Sequence, residues 1–263
     1  MELDLDSLNL EFLVPLGSVI HVGASLLQEA PKYLNSGYRP VFWFEAVPDL
    51  VLATQEIAKE FPENYVFQKL LWSEPDVEKT FYLSSNKLQS SSVFPMKDHH
   101  LIYPGIFQVR EVTLSTSILD DCIQIQHLEY NSLLVIDVQG SELEVLMGSR
   151  KTLAKTWAVF IEVSTIEMYL GQSTFSEVND YLVSQGFRLI KHDLDSQKFM
   201  GDALYLNLKK IKVDLPAEPK LPEAKRLYLW KPKTVVRRLL LKFGISANKI
   251  TVKTFFRFLN RAN

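Results

Sequence analysis

Short apolar runs alternate along this chain with helix-length stretches that carry their apolar residues on one face. Ser18-Val-Ile-His-Val22 and Val41-Phe-Trp-Phe-Glu45 are two such runs, and apolar runs bounded by turn residues predict parallel strands buried on both faces. Between them the pattern predicts a helix over residues 28–34 that stops at Asn35-Ser-Gly37, because glycine adopts the left-handed conformation at little cost. Pro48-Asp49 opens a second helix, in which Leu50, Leu52, Ile57, Ala58 and Phe61 are spaced for one buried face. A third strand is expected over residues 65–71. From 74 to 114 the pattern breaks into short β-like pieces, 80–83 and 108–114, around a loop rich in hydroxyls, imidazoles and prolines, the kind of loop that carries function or is merely mobile. Regularity returns with a helix over 117–127, an apolar strand over 133–138, a helix ending at Gly148, a strand over 157–163, a helix over 175–185, and strands over 187–191 and 203–208. About seven strands with intervening helices make one doubly wound α/β domain, residues 18–210, after a lead-in over 1–17.

The end of the chain reads differently. Residues 211–222 hold Pro216, Pro219 and Pro222 and are expected to form a stiff linker. Beyond them, 223–263 is a basic amphipathic segment of helical spacing. The net charge of −2 hides this asymmetry: from Pro219 onward there are twelve Lys and Arg against the single acid Glu223, which leaves the body acidic. Such a segment suits an anionic membrane surface or an acidic partner; the alternative is the acidic body of its own chain, or that of a second subunit in a homo-oligomer. The acidity of the body argues against nucleic acid as a partner.

Two further readings follow from composition. A single cysteine, Cys122, excludes an internal disulfide and a structural zinc site. The acidic start, Met1-Glu-Leu-Asp-Leu-Asp6, and the lack of a long apolar run lead us to expect a cytoplasmic protein.

The candidate chemistry gathers where these strands end. Gly23 and Ala24 close the first strand, where a minimal side chain lets a ligand approach the backbone. Glu45 closes the next, about 20 residues on, where a carboxylate can accept both hydroxyls of a ribose. Alone, the stretch is equally a tight turn with no ligand. A second constellation is Ile136-Asp-Val-Gln-Gly-Ser-Glu142. Asp137 lies late in an apolar strand, and a carboxylate there costs several kcal/mol unless it is paired or hydrogen-bonded. Glu142 starts the following helix, where the dipole favours negative charge.

Taken together, Ile20-His-Val-Gly-Ala-Ser25 with Gln28-Glu29, Phe44-Glu45-Ala46, Ile136-Asp-Val-Gln-Gly140 with Glu142 and Leu146-Met-Gly148, then Ile161-Glu162, resemble the FkbM-family methyltransferases over residues 18–208. The resemblance implies a Rossmann-like seven-stranded sheet with an antiparallel last strand, S-adenosylmethionine as cofactor, and methylation of a hydroxyl on a saccharide or secondary metabolite. It implies that the methionine part of the cofactor lies against Gly23 and Ala24 with Gln28 nearby, that the ribose lies on Glu45 beside Ala46, and that Asp137 lies beside the methyl group. The loop from Ser90 to His100 would face a small-molecule or glycan acceptor, with Ser91 and Ser92 of that loop, and separately Glu142 and Glu162, as the acceptor-side candidates. Three positions depart from the family pattern: His21 replaces an aspartate at the cofactor pocket, Leu27 replaces a second glycine, and Gln139 replaces a glutamate.

Methyl transfer to oxygen needs near-attack geometry and a base. His99 and His100 are the base candidates by type, since an imidazole titrates near neutral pH, and Asp137 is the third. No set of metal ligands stands out. The competing reading is a non-catalytic binding or scaffolding domain, motivated by His21 and Leu27. A nicotinamide dinucleotide enzyme is disfavoured because Ser25 to Gln28 lack glycines for a pyrophosphate.

Overall fold

Valine, isoleucine and aromatic residues fill the runs that become strands, and strands of this kind are stable where helices cover both faces of the sheet. The computed structural model describes residues 17–122, 128, 132–195, 198–211 and 215–222. The chain divides into two units, Met1–Glu223 and Ala224–Asn263, and every described residue belongs to the first. Expectations for residues 1–16, for the end of the 117–127 helix, for 212–214 and for the basic segment lie outside the described residues.

In chain order, β1 (Val19–Val22), α1 (Ala30–Asn35), β2 (Val41–Glu45), α2 (Pro48–Ala58) and β3 (Asn64–Gln68) open the domain. An arm follows, made of β4 (Leu70–Leu71), β5 (Glu78–Ser84), the short α3 (His99–Ile102) and β6 (Gln108–Ser117). After α4 (Leu119–Cys122) come β7 (Ser132–Ile136), α5 (Glu142–Met147), α6 (Arg150–Lys155), β8 (Thr156–Ser164), α7 (Phe175–Ser184), β9 (Phe187–His192) and β10 (Met200–Asn207).

The main sheet has seven strands in the order β3-β2-β1-β7-β8-β10-β9. β1 lies third in that order, parallel to β2 with Val22 opposite Phe44 and to β7 with Val22 opposite Ile136. Only β10 runs antiparallel, to both β8 and β9. Alternate residues serve opposite cores. Leu133 and Val135 pack with Ala30, Tyr33 and Ala58 on the α1–α2 face. Leu134 and Ile136 pack with Val145, Leu153 and Val178 on the face covered by α5, α6 and α7. Each such buried side chain contributes about 1.5–3 kcal/mol. Because the order reverses beside β1, the carboxyl ends of β1, β2 and β7 diverge into a crevice.

Several boundaries differ from the sequence reading. The expected strand over 65–71 is two strands: the Lys69 amide donates to the Glu45 carbonyl at 3.0 Å, and the chain then leaves the main sheet so that Leu70 pairs with Thr116. β6 runs on through Ser117, where a helix was expected, and α6 was not anticipated at all. The β5–β6 hairpin is anchored by Leu70, Trp72, Phe81, Leu83 and Val93, which pack with Val47 at the end of β2. That packing sets one wall of the crevice. Near the end of the domain, residues 215–222 lie against β9: Leu215 joins the core, Arg188 donates to the Pro216 carbonyl, and His192 Nε2 is 3.0 Å from the Lys220 carbonyl.

Candidate functional site

The crevice is a cleft of about 390 Å³, a size suited to a small organic ligand. Gly23, at the end of β1, forms its floor. Its φ of +91° and its closeness to β7, where an added Cβ would sit 1.8 Å from the Asp137 carbonyl oxygen, both require glycine. The Gly23 and Ala24 amides both donate to the Phe44 carbonyl at 2.9 Å, which ties the turn to β2. Leu27 holds φ +55° without being glycine, and its side chain is buried beside Ala30 and Tyr33. The left-handed residue costs about 1–2 kcal/mol, and burying the leucine offsets it. The departure at Leu27 therefore preserves the turn.

Glu45, the last residue of β2, accepts from the Ser25 amide at 2.9 Å through Oε2 and from the Val47 amide at 2.8 Å through Oε1. Burial raises its pKa, the amides of Val47, Ser25 and Ala46 pull it back, and the negative charge of Asp137 raises it further. A carboxylate so held is preorganised to accept hydroxyl protons at the lip of the cleft. Ala46, Val47, Leu50, Leu70, Leu71 and Phe81 line the adjoining apolar end, a setting for a flat aromatic ring. Gln28 is exposed, lines the cleft, and reaches Ser25 Oγ at 3.5 Å. His21 is buried with its ring stacked on Trp43 at 4.8 Å between centroids and Nδ1 2.9 Å from the Tyr33 hydroxyl. Burial lowers its pKa to about 3, so it is a neutral ring and not a stand-in for a carboxylate.

Asp137 falls one residue beyond β7 and lines the cleft. Gln139 Nε2 donates to Asp137 Oδ1 at 2.7 Å and to Glu162 Oε2 at 2.9 Å, while its Oε1 accepts from the Tyr169 hydroxyl at 2.7 Å. One amide thus bridges two carboxyl groups. Burial, then the charges of Asp137, Glu142 and Asp202, push the Glu162 pKa well above the carboxylate range. Burial also raises Asp137, which hydrogen bonds from Gln139 and Glu162 hold down. Glu162 is the member that keeps a proton, and Asp137 is the acceptor facing the cleft. Bridged in this way, Asp137 presents an accepting oxygen to the cleft beside a carboxyl that burial and neighbouring charges keep from ionising.

The remaining candidates fall in different places. Ser91 lines the cleft, with Oγ accepting from the Ser84 amide at 3.1 Å. Ser92 is buried, and its hydroxyl donates to the Gln139 carbonyl at 2.7 Å, fastening the arm to the Gln139 turn. Ala24 is buried in the core and does not line the cleft. Glu142 is buried away from it, with Oε1 accepting from the amides of Gly140 at 2.9 Å and Val138 at 3.2 Å. His99 is buried between Tyr103 and Tyr169, with ring centroids 5.1 and 5.4 Å away, and burial lowers its pKa. His100 is exposed, its Nδ1 2.7 Å from the Lys97 carbonyl. Neither histidine lines the cleft. Sequence reasoning passed over the Ser25 amide, Lys69, Leu70, Leu71, Phe81, Leu88 and Gln89, which do. Lys69 to Leu71 carry the signal that could have found them, since they follow the strand next to the Glu45 strand.

A model of the "Methyltransferase FkbM domain" matches residues 21–189. Over 120 residues the chain is 32% identical to the 2-O-methyltransferase NoeI of Sinorhizobium fredii (strain NBRC 101917 / NGR234), covering 46% of this chain and 48% of that protein. The match therefore spans about half the length of that relative. Among solved structures, the chain is similar to magnesium protoporphyrin IX methyltransferase from Synechocystis PCC 6803 with bound S-adenosylmethionine, at 9% identity, 77% coverage of each chain and a TM-score of 0.41. It is likewise similar to an S-adenosylmethionine-dependent methyltransferase from Aquifex aeolicus, at 11% identity, 78% and 90% coverage and a TM-score of 0.42.

Proposed function

This chain belongs to the FkbM methyltransferase family, and from that premise we propose that it is an S-adenosylmethionine-dependent methyltransferase acting on a hydroxyl of a saccharide or secondary metabolite. The observation that carries the reading is one cleft in which Gly23, Glu45 and Asp137 meet at the ends of three adjacent parallel strands. Glu45 fits a ribose, the apolar end formed by Val47, Leu50, Leu70, Leu71 and Phe81 fits a purine, and Gly23 leaves room for the amino-acid part. When bound, the cofactor supplies an electrophilic methyl group on a sulfonium. The negative charge of Asp137, Glu45 and Glu29 around the cleft favours that cation.

The protein's own part is to orient the acceptor and to take its proton. Asp137 is the base we assign, because it faces the cleft while His99 and His100 do not. In the transfer the sulfonium would leave as a neutral thioether as its methyl group bonds to the acceptor oxygen, and the acceptor O–H proton would pass to Asp137, which the Gln139 amide holds in place. Oxygen as the acceptor atom is favoured by the name of the 32% identical relative. Incubation with methyl-labelled S-adenosylmethionine and a panel of saccharides, with the product site read by NMR, tests the reading. A methoxyl product is expected; a methylated nitrogen or carbon would contradict it. The second reading, a domain that binds without catalysing, predicts no product from any acceptor even with the cofactor bound.

A further inference from the structure

Gln139 lines the cofactor cleft with its backbone held at a φ of +57°, a left-handed conformation that glycine takes more cheaply than any residue with a side chain. Gly140 follows it directly, yet a glutamine and not a second glycine occupies the strained position. A costly conformation kept at a cleft points to use of the side chain that sits there. Resting on the methyltransferase reading above, we propose that Tyr169, acting through the Gln139 amide, is a positioning residue that holds Asp137 as a carboxylate toward the methyl donor and so makes the cleft favour cationic S-adenosylmethionine over its product, S-adenosylhomocysteine, which lacks that charge.

The three side chains form a relay. Tyr169 is buried and does not line the cofactor cleft, and its hydroxyl donates to Gln139 Oε1 at 2.7 Å. That bond decides which end of the amide faces the acids: Nε2 turns to Asp137 Oδ1 at 2.7 Å and to Glu162 Oε2 at 2.9 Å. The other acceptor near the phenol, the Ser90 carbonyl, is more distant at 3.3 Å. Burial raises the pKa of Tyr169 above its ordinary value, so the phenol keeps the proton it donates. The Gln139 backbone is pinned as well, because the Ser92 hydroxyl donates to its carbonyl at 2.7 Å. What freedom remains is rotation of the amide end for end. The turned amide would aim its oxygen at Asp137 and set two acceptors against each other, and Tyr169 opposes that turn because its proton would be left with the longer bond alone. A carboxylate that accepts an N–H is favoured in its charged form, and one that faces a carbonyl oxygen is not. The orientation of one buried amide therefore sets how much negative charge meets a sulfonium in the cleft, while a thioether in the same place gains little from that charge.

Isothermal titration of the full chain with each of the two ligands tests this. Tyr169→Phe removes the hydroxyl and keeps the ring against His99, 5.4 Å away between centroids. Its affinity for S-adenosylhomocysteine should stay within about twofold of wild type, while the ratio of S-adenosylmethionine to S-adenosylhomocysteine affinity falls at least about fivefold. A general loosening of the fold would weaken both ligands together and leave that ratio in place. Gln139→Met breaks the relay at its middle and should lower the ratio as far, and the double variant should lower it no further, because both changes act on one carboxylate. An unchanged ratio in either single variant, equal losses for the two ligands in Tyr169→Phe, or a double variant that falls below Gln139→Met would each overturn the proposal. A folded wild-type protein that binds neither ligand would instead remove the methyltransferase reading itself, and this is seen before any variant is made.

Discussion

A carboxylate, a glycine and a bridging amide decide what this cleft can do, and each acts through contacts of a few ångströms. Glu45→Ala removes the acceptor for two backbone amides and for the proposed ribose hydroxyls. A hydrogen bond to a charged group contributes about 1.5–3 kcal/mol, so calorimetry should show affinity for S-adenosylhomocysteine weakened at least about tenfold. Unchanged affinity would remove Glu45 from the role. Gly23→Ala would force a Cβ against the Asp137 carbonyl at a φ of +91°. The expected loss of stability exceeds about 3 kcal/mol in denaturant titration, and a loss below about 1 kcal/mol would mean that β1 and β7 do not approach as closely as shown. Both residues were legible in the sequence because a strand end fixes where they point. His99 and His100 were not: their type suggested a base, but Tyr103 and Tyr169 enclose one ring and solvent surrounds the other, and no local pattern encodes that packing. The Ser25 amide was invisible for a simpler reason, since a backbone donor leaves no trace in residue type.

At the scale of the element, the turn from β7 into α5 carries a buried acid that titrates in the working range. Burial, opposed by the amides of Gly140, Glu142 and Val138, raises the Glu142 pKa to about 7. The folded protein therefore holds this proton more tightly than the unfolded chain, and the resulting stability is complete below about pH 4.5 and is lost as pH rises through 7. Glu142→Gln keeps the accepting oxygen without the charge. Above pH 7 it should be more stable than wild type by about 1–3 kcal/mol, with the difference vanishing near pH 4. Parallel stability curves for the two proteins across that range would contradict this. α7 shows what sequence does encode well: Thr174 and Glu177 form a reciprocal capping box at the start of an amphipathic run. The β3–β4 break was hidden, because Tyr65 to Leu71 holds no glycine or proline to mark a turn and only pairing with β6 divides it.

For the whole molecule, alternation of strand and helix was enough to anticipate a doubly wound sheet with strands at the expected places, since burial on both faces leaves few other arrangements. It could not show how the arm closes one side of the cleft, which depends on packing between segments far apart in sequence. Among the described residues no helix is long and apolar enough to cross a membrane. The twelve cations from Pro219 onward lead us to expect salt-sensitive binding to anionic vesicles. Co-sedimentation of the full chain should exceed that of a chain ending at Lys212, and equal pelleting would dismiss a membrane role for the segment. The claim on which the rest depends is that the cleft between Gly23, Glu45 and Asp137 holds the methyl donor. Isothermal titration of the full chain with S-adenosylmethionine and S-adenosylhomocysteine tests it directly. One site with micromolar affinity for both is expected; a folded sample that releases no heat with either would contradict it.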